Sequence, residues 1–433
     1  MIRCFSYCCV ALLVLVTWDS TENSSAAQGN ATPAQAALPQ ATSTHWPTFR
    51  GPRGDGHVLG IELPVQLDKQ VRWKTAIHGR GWSSPVIWGD QVWLTTATED
   101  GKQMFGVCVS LKDGSVIHDL MIHENPEPAF SHPTNSYASP TPVIEEGRVY
   151  LHFGSYGTTC LNTKTGEQIW QRKDFECDHF RGPASSPIIF NDKLIVAFDG
   201  FDQQYVVALD KATGKTVWKD DRNIKYKTDN GDWKKAYSTA AVFEIEGQPL
   251  LISPSAQATI AYDPDSGKQI WKLYHDGMNT SVRPLLTRDK MVVLTNGMGR
   301  MDVVDPTGKG DVTETHVKWM TKKGVAKRPS PIIVDNRIYM FTDKGVASCT
   351  NAGDGSLVWQ ERIGGSFAAS PIFDGRHIFA FDEKGKIVVV KPGDEFKLVA
   401  ELSLGDGFKG SPAVVAGSLV LRSISDLYCV DLD

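Results

Sequence analysis

One pattern returns five times along this chain: an apolar strand, a polar turn holding glycine, and a strand ending in tryptophan. The copies are Leu161–Trp170, Leu209–Trp218, Tyr262–Trp271, Val304–Trp319 and Cys349–Trp359. Self-similarity of this kind decides the fold before any local feature does. A second signature precedes the tryptophan segments: a small residue, usually in Ser-Pro, then an apolar run, a turn and another apolar run. It begins at Ser84, Thr141, Ser186, Arg283, Ser330, Ser370 and Ser411, with a degenerate copy at Thr239, which makes eight units. The units recur every forty to sixty residues or so, the spacing of four-stranded propeller blades. No unit holds the long 3.6-residue periodicity of a helical repeat.

The sequence therefore predicts an all-β fold, an eight-bladed β-propeller of four-stranded antiparallel blades. The last unit stops at Asp433 after three strands. The missing strand lies at the other end, around Gln70–Thr75, so an N-terminal strand is expected to pair beside Tyr428–Asp431 and close the ring. Closure removes the strand edges that would otherwise invite aggregation. Trp73, Trp170, Trp218, Trp271, Trp319 and Trp359 are expected to dock between blades, each finding a partner for its indole N–H. His118 takes the tryptophan position in the first blade and reads as a repeat variant.

Of the 433 residues, 41% are hydrophobic and 22% charged, enough for a large core and too ordered a composition for wholesale disorder. A formal net charge of −5 argues against a nucleic-acid partner. Residues 1–27 read as a signal peptide: Arg3, the apolar run Val10–Val16, and small residues up to Ala27. An uncleaved anchor is the alternative reading, and the mature chain is expected to hold no transmembrane span. Residues 28–45 read as a flexible Ala/Thr/Pro-rich linker, 46–69 as a leader segment packed on the propeller, and 70–433 as the propeller itself. Cys108, Cys160, Cys177, Cys349 and Cys429 remain after the signal. An odd number leaves at least one unpaired, and they read as buried small hydrophobes.

The stretch Ala208-Leu-Asp-Lys-Ala-Thr-Gly-Lys-Thr-Val-Trp218 and its copies resemble the tryptophan-docking motif of the PQQ-like propeller repeats. The resemblance covers residues 70–433. That family includes quinoprotein dehydrogenases, which bind pyrroloquinoline quinone and calcium, and BamB-like proteins, which bind protein partners. The leader Trp46-Pro-Thr-Phe-Arg-Gly-Pro-Arg-Gly-Asp-Gly56 resembles that of planctomycete-type secreted propellers. The dehydrogenase pattern implies adjacent cysteines above the quinone, and the only adjacent pair here, Cys8-Cys9, falls in the signal. No dense acidic loop offers the six to eight oxygens calcium takes. The expectation is a non-catalytic, exported, monomeric binding or scaffolding module of the cell envelope, with no cofactor, neither PQQ nor calcium, and no catalytic or metal-binding residue. Its partner would be an envelope or outer-membrane protein. The alternatives are a quinoprotein dehydrogenase and a carbohydrate- or polyanion-binding propeller.

Function on a propeller concentrates in the loops that feed the innermost strands. Here they carry Arg80, Arg181, Lys235, Arg283, Arg328 and Lys409, with Trp82, Phe130, Tyr137, Phe180, Trp233 and Phe408. A ring of cations at one mouth would favour an acidic partner. The competing reading is ordinary surface charge balanced by Asp178, Asp232, Asp276 and Asp406. His123, His132 and His179 are expected in loops, as solvated surface. The long loops 124–137 and 223–237 exceed what strand connection needs, so they are the expected partner contacts.

Overall fold

The computed structural model describes residues 44–58 and 60–432; the expected signal segment and residues 28–43 of the linker lie outside the described residues. Eight sheets follow one another along the chain. Blade 1 runs Val86–Trp88, Gln91–Ala97, Gln103–Ser110 and Val116–Glu124, from the channel outwards. Each later blade repeats that order, and the first strand of each faces the channel. Val71–Ala76 completes blade 8 as its outermost strand, pairing antiparallel with Asp426–Asp431 so that Trp73 lies opposite Cys429. The ring is thus closed by the two ends of the repeat region.

The tryptophans couple the blades. Trp73 Nε1 donates to the Leu111 carbonyl at 2.8 Å, Trp170 to Lys211 at 3.0 Å and Trp218 to Pro264 at 3.0 Å. Trp271 donates to Pro306 at 2.9 Å, Trp319 to Ala352 at 3.0 Å and Trp359 to Gly393 at 3.1 Å. In each case the acceptor belongs to the next blade. The indole ring needs a bare backbone to lie on. At Gly214, with φ +73°, a Cβ would sit 2.7 Å from the Trp170 ring. His118 reaches the equivalent carbonyl of Thr163, at 3.3 Å. Blade 7 places Ala400 where the tryptophan would be, opposite Val389.

Two features depart from the plain repeat. The long copy Val304–Trp319 carries a short strand, Gly310–Asp311, that pairs parallel with the outer strand of blade 4. The leader also forms sheet: His45–Trp46 pairs with Ile87 and Trp88 on the channel side of blade 1. It then crosses one mouth of the channel. The Pro47 carbonyl accepts from Ile144 N–H at 2.9 Å, in blade 2. His57 Nε2 bonds the Ile333 carbonyl at 2.7 Å, in blade 6. Val58 N–H donates to Phe373 at 2.8 Å and Leu63 N–H to the Asp374 carboxylate at 3.0 Å, both in blade 7. Trp46, Val58, Leu63 and Leu67 join the hydrophobic core of blades 7, 8 and 1. The five cysteines from Cys108 onward are all buried and free. No helix among the described residues is long and apolar enough to cross a membrane.

Candidate functional site

The small residue that opens each blade has a structural reason. The backbone N–H of Ser84 donates to the Thr141 hydroxyl at 3.0 Å, that of Thr141 to Ser186 at 2.9 Å, and that of Ser186 to Thr239 at 3.0 Å. Arg283 N–H donates to Ser330 at 3.1 Å, Ser330 to Ser370 at 3.0 Å, Ser370 to Ser411 at 2.9 Å, and Ser411 to Ser84 at 2.9 Å. A girdle of hydroxyls thus satisfies buried donors blade by blade, as buried backbone groups require. It is interrupted at Arg283, which has no hydroxyl to offer Thr239. The girdle lines a cavity of about 170 Å³, with Phe49 of the leader also on its wall and Trp82, Asn135, Tyr237, Arg328 and Lys409 around it.

The loops above the girdle gather charge in two clusters. Arg181 Nη2 lies 3.2 Å from both oxygens of Asp232, and the buried Lys235 ammonium bonds the same carboxylate. Burial, opposed by that bond, pushes the Lys235 ammonium below its ordinary value. Across the mouth, Arg328 pairs bidentately with Glu383, 3.2 Å on each arm, and Lys409 meets the same carboxylate at 3.2 Å. Burial alone would raise Glu383, but the Ser366 hydroxyl, Arg328 and Lys409 hold it below its ordinary value. Arg80 and Lys409 both lie against the Trp82 ring, at 5.1 and 4.8 Å from its centroid. Arg80 also donates to the Pro133 carbonyl. Four cations therefore share two carboxylates, and Arg80 forms no ion pair among the described residues. Asp178, in the neighbouring loop, adds its charge beside Lys235.

Aromatic side chains stand beside the first cluster. Phe130 is 57% exposed, and Phe180 and Phe201 are each 38% exposed. Their rings form a chain, with centroids 6.1 Å apart for Phe130–Phe180 and 5.4 Å for Phe180–Phe201. Lys235 Nζ lies 4.6 Å from the Phe180 centroid. Phe180 holds φ at +54°, a left-handed conformation uncommon for an aromatic residue. Loop 124–137 is tied to this cluster: Asn135 Nδ2 donates to the Arg181 carbonyl at 2.9 Å. In loop 223–237, the Asn230 side chain accepts from Asp232 N–H at 3.0 Å and so presents that carboxylate.

The structure brings Trp82, Arg181, Lys235, Arg328 and Lys409 to this mouth, with Arg80 at its rim. It sends others elsewhere. Arg283 is 8% exposed and turns to the leader, where a Cβ on Gly54 would lie 2.5 Å from its Nη2. Tyr137 packs on Gly101 and Tyr156 instead, its hydroxyl donating to the Ala129 carbonyl at 2.8 Å. Phe408 is 1% exposed, a core residue packed on Phe381. Of the four aspartates expected to balance the cations, Asp232 alone forms ion pairs with them, while Asp178 acts on Lys235 through its charge. Asp276 pairs with Lys227, Asp406 accepts from Ile424 N–H and Asp178 from Phe180 N–H. His123 is not in a loop: it belongs to the outer strand of blade 1 and is 2% exposed. Sequence reasoning missed Glu383 and Phe201. Both sit in short hairpin turns, Asp382–Gly385 and Gly200–Gln203, whose polar composition marks only a turn. The hydroxyl girdle had a visible signal in the repeated small residue before proline.

The family model described as outer membrane protein assembly factor BamB matches residues 65–200 and 202–433. A quinoprotein ethanol dehydrogenase of Pseudomonas putida is 29% identical over 188 residues, covering 39% of this chain and 25% of that protein. An outer membrane protein assembly factor BamB of Moranella endobia is 22% identical over 253 residues, covering 57% of this chain and 60% of that protein. The chain thus spans from a quarter to 60% of the length of these curated relatives. Among solved structures, BamB from Moraxella catarrhalis superposes with a TM-score of 0.59 at 13% identity, covering 84% of this chain and 99% of that one. A europium-containing methanol dehydrogenase superposes with a TM-score of 0.69 at 13% identity, covering 88% and 90%. At such identities the structural likeness speaks for the fold.

Proposed function

Because the chain belongs to the PQQ-like propeller family described as outer membrane protein assembly factor BamB, we propose that it is an exported, non-catalytic binding module. It holds a protein partner of the cell envelope at the open mouth of its channel. The observation that carries this reading is the exposed chain Phe130–Phe180–Phe201 beside Arg181 and Lys235. Aromatic residues and arginine are the side chains most enriched among interface anchors. An apolar anchor flanked by acidic residues is the complementary partner surface, its charges steering the encounter.

The quinoprotein relatives make a quinone and calcium the competing reading. The donor set does not fit it. No group of three or more His, Cys, Asp or Glu among the described residues could hold a metal ion. At the mouth, Asp232 and Glu383 belong to separate clusters, and each is already bonded to two cations. Calcium takes six to eight oxygens.

The test compares the full chain with a Phe130→Ala/Phe180→Ala double variant as baits in envelope extracts. Hot-spot truncations cost about 2 kcal/mol or more each, so the variant should lose a partner that the native chain retains. Identical capture by both baits contradicts the reading. So does stoichiometric quinone uptake with calcium-dependent, dye-linked alcohol oxidation.

A further inference from the structure

The capped half of the channel holds a second concentration of positive charge, separate from the open mouth. Arg50 is 2% exposed and Arg283 8%. The Arg50 guanidinium makes one hydrogen bond, from Nη2 to the Asp55 carbonyl at 2.8 Å. Its Nε and Nη1, and Nη1 of Arg283, are buried without a hydrogen-bond partner. The carboxylate whose charge acts on both arginines is committed: Asp55 pairs with Arg53 at 3.1 Å and accepts from His57 N–H at 3.0 Å. Three guanidinium groups therefore surround a single aspartate. Desolvation pushes Arg50 down to about 9 and Arg283 down to about 10, each opposed by the charge of Asp55. A buried charge left unpaired costs several kcal/mol, on the order of the stability of a domain, so such groups are normally partnered.

Next to them lies a cavity of about 430 Å³. Its wall carries Arg53 and Arg283 together with Ile144, Ile188, Ile189 and Val242. Glu145 also reaches it, but is paired with Lys211 at 2.6 Å and accepts from the Tyr150 hydroxyl at 2.6 Å. The backbone of Gly54 covers one face of the Arg283 guanidinium, as the clash of an added Cβ with Nη2, Cζ and Nε indicates. That leaves its edge, the planar fork that matches a carboxylate. Arg50 sits on a left-handed backbone, φ +66°. The chain also gives up a link of the hydroxyl girdle to place an arginine at 283.

We propose that the leader and Arg283 build a binding site in the capped half of the channel for a small molecule carrying one carboxylate on an apolar body. Arg283 and Arg53 take the carboxylate, Arg50 adds to the positive potential, and the isoleucines and Val242 cover the apolar part.

The test titrates the full chain calorimetrically with benzoate in low-chloride buffer. Benzamide serves as the neutral isostere and inorganic phosphate as the charge without the body. Benzoate should bind saturably and benzamide should not. Arg283→Ser restores a hydroxyl for Thr239 N–H, so it should fold, with an unchanged circular dichroism spectrum. It should bind benzoate at least about tenfold more weakly, the loss expected for a charged hydrogen bond. Arg53→Gln, at the partly exposed edge of the site, should weaken binding in the same direction and keeps the test open if Arg283→Ser does not fold. No saturable benzoate binding, equal binding of benzamide, phosphate binding without benzoate binding, or undiminished affinity in the folded variants would each overturn the proposal.

Discussion

Three histidines around blade 2 carry a pH dependence that single side chains can report. His152 is 1% exposed and bonds the Thr158 hydroxyl at 2.8 Å. Burial pushes His152 and His123 down to about 3 and His179 down to about 4. A histidine depressed below its unfolded value of 6.5 contributes its full stability above that pH. The contribution falls as pH drops toward the folded value, because the unfolded chain binds the proton first. The loss is about 1.4 kcal/mol per pH unit per histidine. Denaturant unfolding at pH 7 and pH 5 should therefore show a smaller difference in His152→Gln than in the native chain, by about 2 kcal/mol. An unchanged difference contradicts the assignment. The burial of His123 had a trace in the sequence, because the apolar run Leu120–Ile122 leads up to it. Its expected place in a loop came from the acidic and proline-rich residues that follow. Arg283 was misplaced for a different reason. It occupies the same repeat position as the serines, and only the approach of Gly54 from a distant part of the chain decides where its side chain goes.

At the scale of elements, the tryptophan strand is a repeated joint whose strength depends on how deeply each indole is covered. Trp271 is 1% exposed and donates to the Pro306 carbonyl, while Trp319 is partly exposed in an otherwise equivalent bond. The extra Gly310–Asp311 strand lies against blade 4 beside Trp271, with which Gly310 is in register. Trp271→Ala should cost about 3–5 kcal/mol, in the range for large aromatic truncations in a core, and Trp319→Ala distinctly less. Equilibrium denaturation of the two variants checks the order, and equal losses contradict it. The blade count, the tryptophan positions and the closing strand were legible because each rests on a periodic pattern of apolar residues. Gly310–Asp311 was not, since it pairs through backbone alone and has no apolar alternation to reveal it.

For the whole molecule, closure and capping together decide where a partner has access. Val71–Ala76 joins the ends of the ring, and the leader covers one mouth by hydrogen bonds to blades 1, 2, 6 and 7. The leader's path was not readable in advance. It lacks periodicity, and its partners are backbone groups from blades far apart in sequence. The open mouth was legible only as a list of loops. The sorting of its cations around Asp232 and Glu383 depends on which loops the ring brings side by side. Partners are proposed to dock on the open mouth. Hydrogen–deuterium exchange of the full chain, free and with its captured envelope partner, tests this most directly. New protection should fall on loops 124–137 and 223–237 and on residues 176–183 and 199–204. Protection confined to the outer blade edges or to the leader-capped mouth would contradict it.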